Sequence, residues 1–348
     1  MNVPDQLRPC VTVVIPVRNE ESSIAECLRG MQRQTFKDME ILIVDGMSSD
    51  GTVSIVESLA LDDPRIRIIQ NERRVIPAAL NLGLAEAKGE FLVRFDAHSV
   101  APPDYVERIV HHLRGGEYAG VGGTKMAVGG SSIMSRVIAA ALSSRFGVGG
   151  SSYHYAQEAA CVDHIPFGAY GVDLLRKMDG WNADLLANED FELDYRIGES
   201  GGLLLLDPTV RISWKTSQRL RDFSYQYQRY GRGKAAVARL HPRSLKLRHL
   251  LPVAMFVTLG ASIVVAVVAE NAWFLLLDVP YLMFLLGSFS DGPFRASCGR
   301  SPWLGPVVLS TMHMSWAWGF LCGIWRKPSR SAARDTYKWR DLSQRIAQ

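Results

Sequence analysis

In the first third of the chain, uninterrupted apolar runs alternate with segments whose apolar positions recur every three or four residues. Val11 to Val17 and Ile41 to Asp45 are β-branched runs without polar alternation, the pattern of strands covered on both faces in a parallel sheet. Between them Ile24, Leu28 and Met31 keep helical spacing on a segment starting near Glu20, which predicts a βαβ unit with a right-handed crossover. The alternation continues with a strand at Arg67 to Gln70, a helix at Ile76 to Ala87, a strand at Phe91 to Phe95 and a helix near Asp104 to Leu113. An open α/β sheet follows, mostly parallel and flanked by helices.

Ligands of such sheets bind beyond the carboxyl ends of the strands. The residues there are Arg18-Asn19-Glu20, Asp45-Gly46 and Asp96-Ala97-His98, three polar strand ends in succession. One polar loop says little. Carboxylates on three strand ends suggest a shared site.

Beyond Leu250 the pattern changes to long apolar runs. Leu250 to Ala269 carries no charge and is long enough to cross a bilayer core of roughly 30 Å. Ala272 to Gly287 is shorter, contains Asp278 and Pro280, and reads as a broken or re-entrant element. Trp303 to Trp325 is again long enough, with tryptophans near both ends and His313 in the middle. Basic residues flank the region, Arg239, Arg243, Lys246 and Arg248 before it and Arg326, Lys327, Arg330 and Arg334 after it. Positive-inside reasoning puts both flanks in the cytosol, which three full crossings cannot satisfy: either one segment does not span, by preference the middle one, or the tail breaks the charge rule. The predicted organisation is a catalytic domain over 1–235, a basic linker over 236–249, a membrane region over 250–325 and a basic tail over 326–348. The stripe Ile133, Val137, Ile138, Ala141 and Leu142 predicts a helix within 131–147, packed on the sheet or lying in the lipid interface.

Composition changes this picture little. A net charge of +4 on 348 residues, with no long basic run in the first half, argues against nucleic acid as a partner. The excess charge sits beside the apolar runs, where lipid headgroups are the natural partner. Five scattered cysteines without metal spacing read as reduced packing residues of a cytosolic part, and Met1 to Pro9 shows no secretory signal.

Several residues could carry chemistry. Asp96 and His98 share one side of an extended segment and offer a divalent cation, Mg2+ or Mn2+, two ligands from which to bridge a diphosphate; a surface Asp and a satisfied His are the plainer alternative. Asp45 ends a buried strand and could accept from a nucleobase N–H, whereas Asp50 reads as a turn or capping residue. Glu189 and Asp190 open a helix; they either serve its dipole or offer a general base, with Asp190 preferred and Glu189 second. Arg229, Arg232 and Lys234, set among flexible glycines, suit diphosphate oxygens or lipid phosphates.

Together VTVVIPVRNEE, VDGMSSDGT, FDAH, GWNADLLANEDFELDYRI and QYQRYGRGK resemble a family 2 glycosyltransferase of GT-A (Rossmann-like) fold, and PFGAYGV with MHMSWAWGFLCG are most similar to the succinoglycan-type glucosyltransferases of exopolysaccharide assembly. The resemblance implies inverting transfer from a UDP-sugar, UDP-glucose in that group, to a polyprenyl-diphosphate-linked acceptor, by a multi-pass protein of the bacterial inner membrane with its catalytic part in the cytosol. By motif, Pro16, Glu20 and Asp45 would contact the nucleoside with Arg18 beside them, Asp96 and His98 would serve metal and diphosphate, and Asp190 would be the base. His98 stands where many members carry a second Asp, and QRYGRGK replaces the QxxRW of processive synthases. The rival expectations are a polyprenyl-phosphate sugar transferase and a non-catalytic scaffold that binds nucleotide-sugar.

Overall fold

The computed structural model describes residues 9–299 and 301–325; the basic tail residues Arg326, Lys327, Arg330 and Arg334 lie outside them. In order, the chain forms β1 (Val11–Val17), α1 (Ile24–Gln32), β2 (Met39–Asp45), α2 (Thr52–Asp62), β3 (Ile66–Gln70), α3 (Ile76–Glu86), β4 (Phe91–Arg94), β5 (Ser99–Val100), α4 (Tyr105–Arg114) and β6 (Gly120–Val128). There follow α5 (Ile133–Ser143), α6 (Arg145–Val148), β7 (Ala160–Cys161), β8 (Ala169–Gly171), α7 (Val172–Lys177), α8 (Glu189–Glu199) and β9 (Leu204–Lys215). The chain ends with α9 (Leu220–Leu240), α10 (Leu247–Val268), α11 (Val279–Gly287), α12 (Gly292–Cys298) and α13 (Leu304–Trp325).

The sheet runs β3-β2-β1-β4-β8-β6-β9-β5, with β7 also paired to β9. Its first four strands are parallel, in the register Val17 opposite Asp45 and Val14 opposite Arg94. Pairings of β4 with β8, β8 with β6, and β9 with β5 and β7 are antiparallel. The sheet is therefore mixed, and its antiparallel half is absent from the apolar pattern: β5, β7 and β8 are only two or three residues long, and β6 and β9 are interrupted by glycines and polar residues. Alternate residues of β1 face opposite covers. Val11, Val13, Ile15 and Val17 join the core beneath α1 and α4, whereas Val14 lies against Gly83 of α3. After β3 the chain returns to the other side of β1 to form β4, which makes the β1–β4 boundary a topological switch point.

Two compact units divide the described chain. One contains the sheet through Met126 and again from Ala156 to Trp214; the other combines Ala127–Tyr155 with the chain from Lys215 onward. The division differs from the expected boundary at 235. Residues of the 131–147 stripe fall in the second unit, where α5 packs on α12 and α13. Ser144 Oγ donates to Asp291 Oδ2 at 2.7 Å, and His313 Nε2 lies 3.0 Å from the Phe146 carbonyl.

Within the second unit Leu247–Val268, Ala272–Ser290 and Leu304–Trp325 are long and apolar enough, by length and composition, to cross a membrane. The middle stretch is a 3-10 turn, Ala272–Asp278, followed by the short α11. Asp278 is buried there and accepts from Ser262 Oγ at 2.6 Å, which satisfies a carboxylate among apolar helices. Leu251, Val257, Val264 and Val268 of α10 are exposed, an apolar surface suited to lipid.

The glycines of QRYGRGK are not flexible joints. A Cβ on Gly231 would strike the Trp316 carbonyl, one on Gly319 the Gln228 carbonyl, and one on Gly323 would come within 2.8 Å of Ala235 Cβ. Small residues let α9 and α13 approach backbone to backbone. Gly231→Leu is expected to destabilise this unit by about 1–3 kcal/mol or more, measured as a lower thermal midpoint of the detergent-solubilised protein.

Candidate active site

Arg94 is the centre of the polar cluster at the switch point. It ends β4, the short apolar run whose other residues are Phe91, Leu92 and Val93, and it is 6% exposed. Burying a guanidinium demands paired charge around it. Its Nη1 donates to Glu189 Oε1 at 3.1 Å and also to Asp190 Oδ2, while Nη2 lies 3.4 Å from Asp96 Oδ1. Burial alone would lower its pKa, but Asp190, Asp96 and Glu189 outweigh that and hold it firmly cationic. Burial, with the neighbouring Asp190 charge, pushes the Glu189 carboxyl upward, and Arg94 opposes the shift.

Glu189 and Asp190 reach this cluster from the first turn of α8. Asn188 precedes them in the left-handed conformation at φ 61°, so the helix starts abruptly with both acids at its positive end. Trp181 Nε1 donates to the other Asp190 oxygen, Oδ1, at 3.0 Å. The backbone of Trp181 is held in turn by the Asn81 side chain, which accepts from Trp181 N at 2.8 Å and donates to the Trp181 carbonyl at 2.7 Å. Gly180 has φ +65°, and a Cβ there would collide with Asn81 Oδ1, so glycine is required before this tryptophan. One turn along α8, buried Asp194 accepts from His164 Nδ1, Ile165 N and Tyr170 Oη. That set anchors α8 to the segment leading into β8.

On the β1 side of the switch point, His98 Nδ1 lies 3.4 Å from Glu20 Oε1. Burial disfavours charge on His98, yet the Glu20 hydrogen bond and the Asp96 charge prevail and its pKa is raised. Burial works in the opposite sense on Glu20, where the His98 and Ser23 hydrogen bonds prevail and lower the pKa. Lys125 Nζ sits 4.0 Å from the Trp214 ring centroid and 4.7 Å from that of Phe167. Desolvation there drives its pKa down to about 8 although Asp96 and Asp190 oppose the shift.

The loops after β1 and β2 are laced together. Asn19 N donates to Ser48 Oγ at 2.9 Å, Ser49 N to Asn19 Oδ1 at 2.8 Å and Glu20 N to Thr52 Oγ1 at 2.7 Å. Asp45 is 2% exposed and both of its oxygens accept from Ser48 N, at 3.2 and 3.1 Å. Asp50 accepts from Thr52 N and Oγ1, a turn role as expected for it. Pro16 lies within β1 and exposed Arg18 just past it.

The structure thus gathers Glu20, Asp96, His98, Glu189 and Asp190, with Pro16, Arg18 and Asp45 on the same strand ends. Arg229, Arg232 and Lys234 belong to α9, in the second unit. There Lys234 is buried and donates to the Ser244 carbonyl at 3.3 Å, so its ammonium serves the fold. Arg94, Trp181 and Lys125 are functional candidates that motif reading missed. A charged residue inside an otherwise apolar strand was the available signal for Arg94. Lys125, at the end of a glycine-rich strand, carried none.

Among the described residues no three His, Cys, Asp or Glu side chains gather into a metal cluster. Asp96 and His98 still fit a divalent cation. Their side chains are 19% and 37% exposed, so a carboxylate and an imidazole open to solvent would be the two side chains to hold it.

Comparison with known proteins agrees with this geometry. The chain is 30% identical to the succinoglycan biosynthesis protein ExoA of Rhizobium meliloti (strain 1021), over 90% of this chain and 94% of that protein. It is 29% identical to the dolichyl N-acetyl-alpha-D-glucosaminyl phosphate 3-beta-D-2,3-diacetamido-2,3-dideoxy-beta-D-glucuronosyltransferase of Methanococcus voltae, over 66% of this chain and 74% of that one. The fold is shared with the mannosyltransferase PcManGT from Pyrobaculum calidifontis, solved with GDP-Man and Mn2+, at a TM-score of 0.59 and 20% identity over 93% of this chain and 89% of that one. Residues 12–137 match Glycosyl transferase family 2, and residues 91–289, more than half of the chain, match Glycosyl transferase family group 2. The chain is therefore a nucleotide-sugar-dependent glycosyltransferase and belongs to glycosyltransferase family 2.

Proposed function

We propose that this glycosyltransferase moves a hexose, glucose from UDP-glucose, onto a lipid-linked saccharide at the cytoplasmic face of a bacterial inner membrane, with inversion at the anomeric carbon. The observation that carries the reading is the guanidinium of Arg94, shared by Asp96 beyond β4 and by Glu189 and Asp190 on α8. It joins a group suited to a donor diphosphate to a group suited to proton removal. The printed names of the two relatives, succinoglycan biosynthesis and a transferase acting on a dolichyl-phosphate-linked sugar, support a carrier-bound glycan. The exposed apolar helices support a membrane setting.

In this reading Asp190 takes the proton of the acceptor hydroxyl as the new bond to the sugar forms and the bond to UDP breaks. Trp181 and Arg94 hold its carboxylate in one orientation, and Glu189 shares the guanidinium. Pro16, Arg18 and Asp45 line the nucleoside side of the strand ends. Asp96 and His98 would hold Mg2+ or Mn2+, which when bound neutralises charge developing on the leaving diphosphate.

The test uses the full chain in membranes, radiolabelled UDP-glucose, UDP-galactose, UDP-N-acetylglucosamine and GDP-mannose, and extracted polyprenyl-linked acceptors. Label from UDP-glucose is expected in the lipid fraction, with transfer stopped by EDTA and restored by Mn2+ or Mg2+. Transfer from another donor alone overturns the sugar assignment, and transfer indifferent to EDTA overturns the metal assignment. A second reading draws on Asp190, both of whose oxygens already accept hydrogen bonds. A polyprenyl phosphate acceptor needs less help from a base, and its product would carry a single sugar on the lipid phosphate.

A further inference from the structure

We propose that Glu20 is a positioning residue for His98 instead of a contact of the nucleoside, and that it sets which imidazole nitrogen faces a divalent cation. The inference rests on the assignment of Asp96 and His98 as metal ligands. Glu20 is held at every polar atom. Its N–H donates to Thr52 Oγ1 at 2.7 Å, and its carbonyl accepts from Ser23 N at 3.0 Å and Ile24 N at 2.9 Å as α1 begins. Its Oε2 accepts from Ser23 Oγ at 2.5 Å, and its Oε1 faces His98 Nδ1 at 3.4 Å. Both carboxylate oxygens of Glu20 thus lie beside protein groups, and one of those groups is the His98 imidazole.

A carboxylate beside Nδ1 keeps the proton on that nitrogen. Nε2 then carries the lone pair and is the nitrogen available to a metal. Metal-bound imidazoles generally have such an outer partner, because it fixes the tautomer and the ring plane and raises ligand basicity. Trp214, whose ring centroid lies 6.5 Å from that of His98, borders the other side of the imidazole. The pair also spans the switch point, since Glu20 follows β1 and His98 follows β4. Ser23 completes the chain of contacts by holding the far oxygen of Glu20.

The experiment compares the full-length protein in detergent with Glu20→Gln, Glu20→Ala, Ser23→Ala, Asp96→Asn and His98→Ala. Mn2+ binding is followed by electron paramagnetic resonance in the presence of UDP, and UDP binding is measured separately in EDTA. Glu20→Ala is expected to weaken Mn2+ binding by about 10–100-fold, with smaller losses for Glu20→Gln and Ser23→Ala and no change in UDP affinity in EDTA. Weaker UDP binding in EDTA with Mn2+ affinity intact overturns the proposal in favour of a nucleoside contact. If Asp96→Asn and His98→Ala leave Mn2+ affinity unchanged, the metal assignment fails and this inference with it. Loss of Mn2+ binding in His98→Ala but not in the Glu20 and Ser23 variants overturns the positioning role alone. Should Glu20→Ala fail to fold, Ser23→Ala reads the same contact, because releasing Oε2 frees the carboxylate from its alignment on Nδ1.

Discussion

Asp190→Asn is expected to lower turnover by about 10² or more, the usual loss when a general base is removed, while leaving the KM for the nucleotide-sugar near its original value. The amide still accepts from Trp181 Nε1, and Arg94 keeps Glu189 and Asp96 as partners, so the fold should tolerate the change. A hundredfold loss corresponds to about 2.7 kcal/mol of transition-state stabilisation, well above what a shift of one exposed hydrogen bond provides. Initial rates at saturating donor and acceptor measure it. Turnover close to that of the parent would remove Asp190 as the base and favour a phosphate oxygen as acceptor.

Arg94→Met should do more. It leaves Glu189, Asp190 and Asp96 without their shared cation, with side-chain exposures of only 9%, 17% and 19%. Breaking a buried ion pair by deleting one partner typically costs about 3–5 kcal/mol, and activity is expected to vanish with the geometry of Asp190. The loss should depend on pH in a definite direction. Burial already raises the Glu189 pKa, with Arg94 opposing, so the substitution raises it further. The folded variant then holds a proton that the unfolded chain has given up above its ordinary carboxyl value of 4.5. Stability of the variant is therefore greatest in acid and falls as pH rises through the raised folded pKa. Thermal midpoints of parent and variant between pH 4 and 8, in detergent, check this; a difference independent of pH would show that Glu189 is not coupled to Arg94.

How much of this was legible in the sequence depends on the range of each interaction. The strands β1 to β4 and helix α3 follow from local periodicity, with ends within one or two residues of the pattern, whereas α1 starts at Ile24 and not near Glu20. The polar strand ends were legible for the same reason, because an open α/β sheet fixes where its ligands bind. The antiparallel half of the sheet was not, since β5, β7 and β8 are too short to show a period and β6 and β9 are interrupted by glycine, proline and charged residues. The contact of Glu20 with His98 was not legible because His98 follows a different strand, and Gly231 was misjudged as flexible because its partner Trp316 lies far along the chain on α13.

By itself the sequence determined the α/β class, the family, the apolar helices and the identity of the acids, all properties of short segments and of motifs in order. That a single arginine binds Asp96, Glu189 and Asp190 together, that Trp181 donates to the second Asp190 oxygen, and that Lys234 donates to the Ser244 carbonyl came from the tertiary structure alone. The physical reason is that a buried charge is tolerable only where opposite charges converge, and that convergence depends on chain segments far apart in sequence.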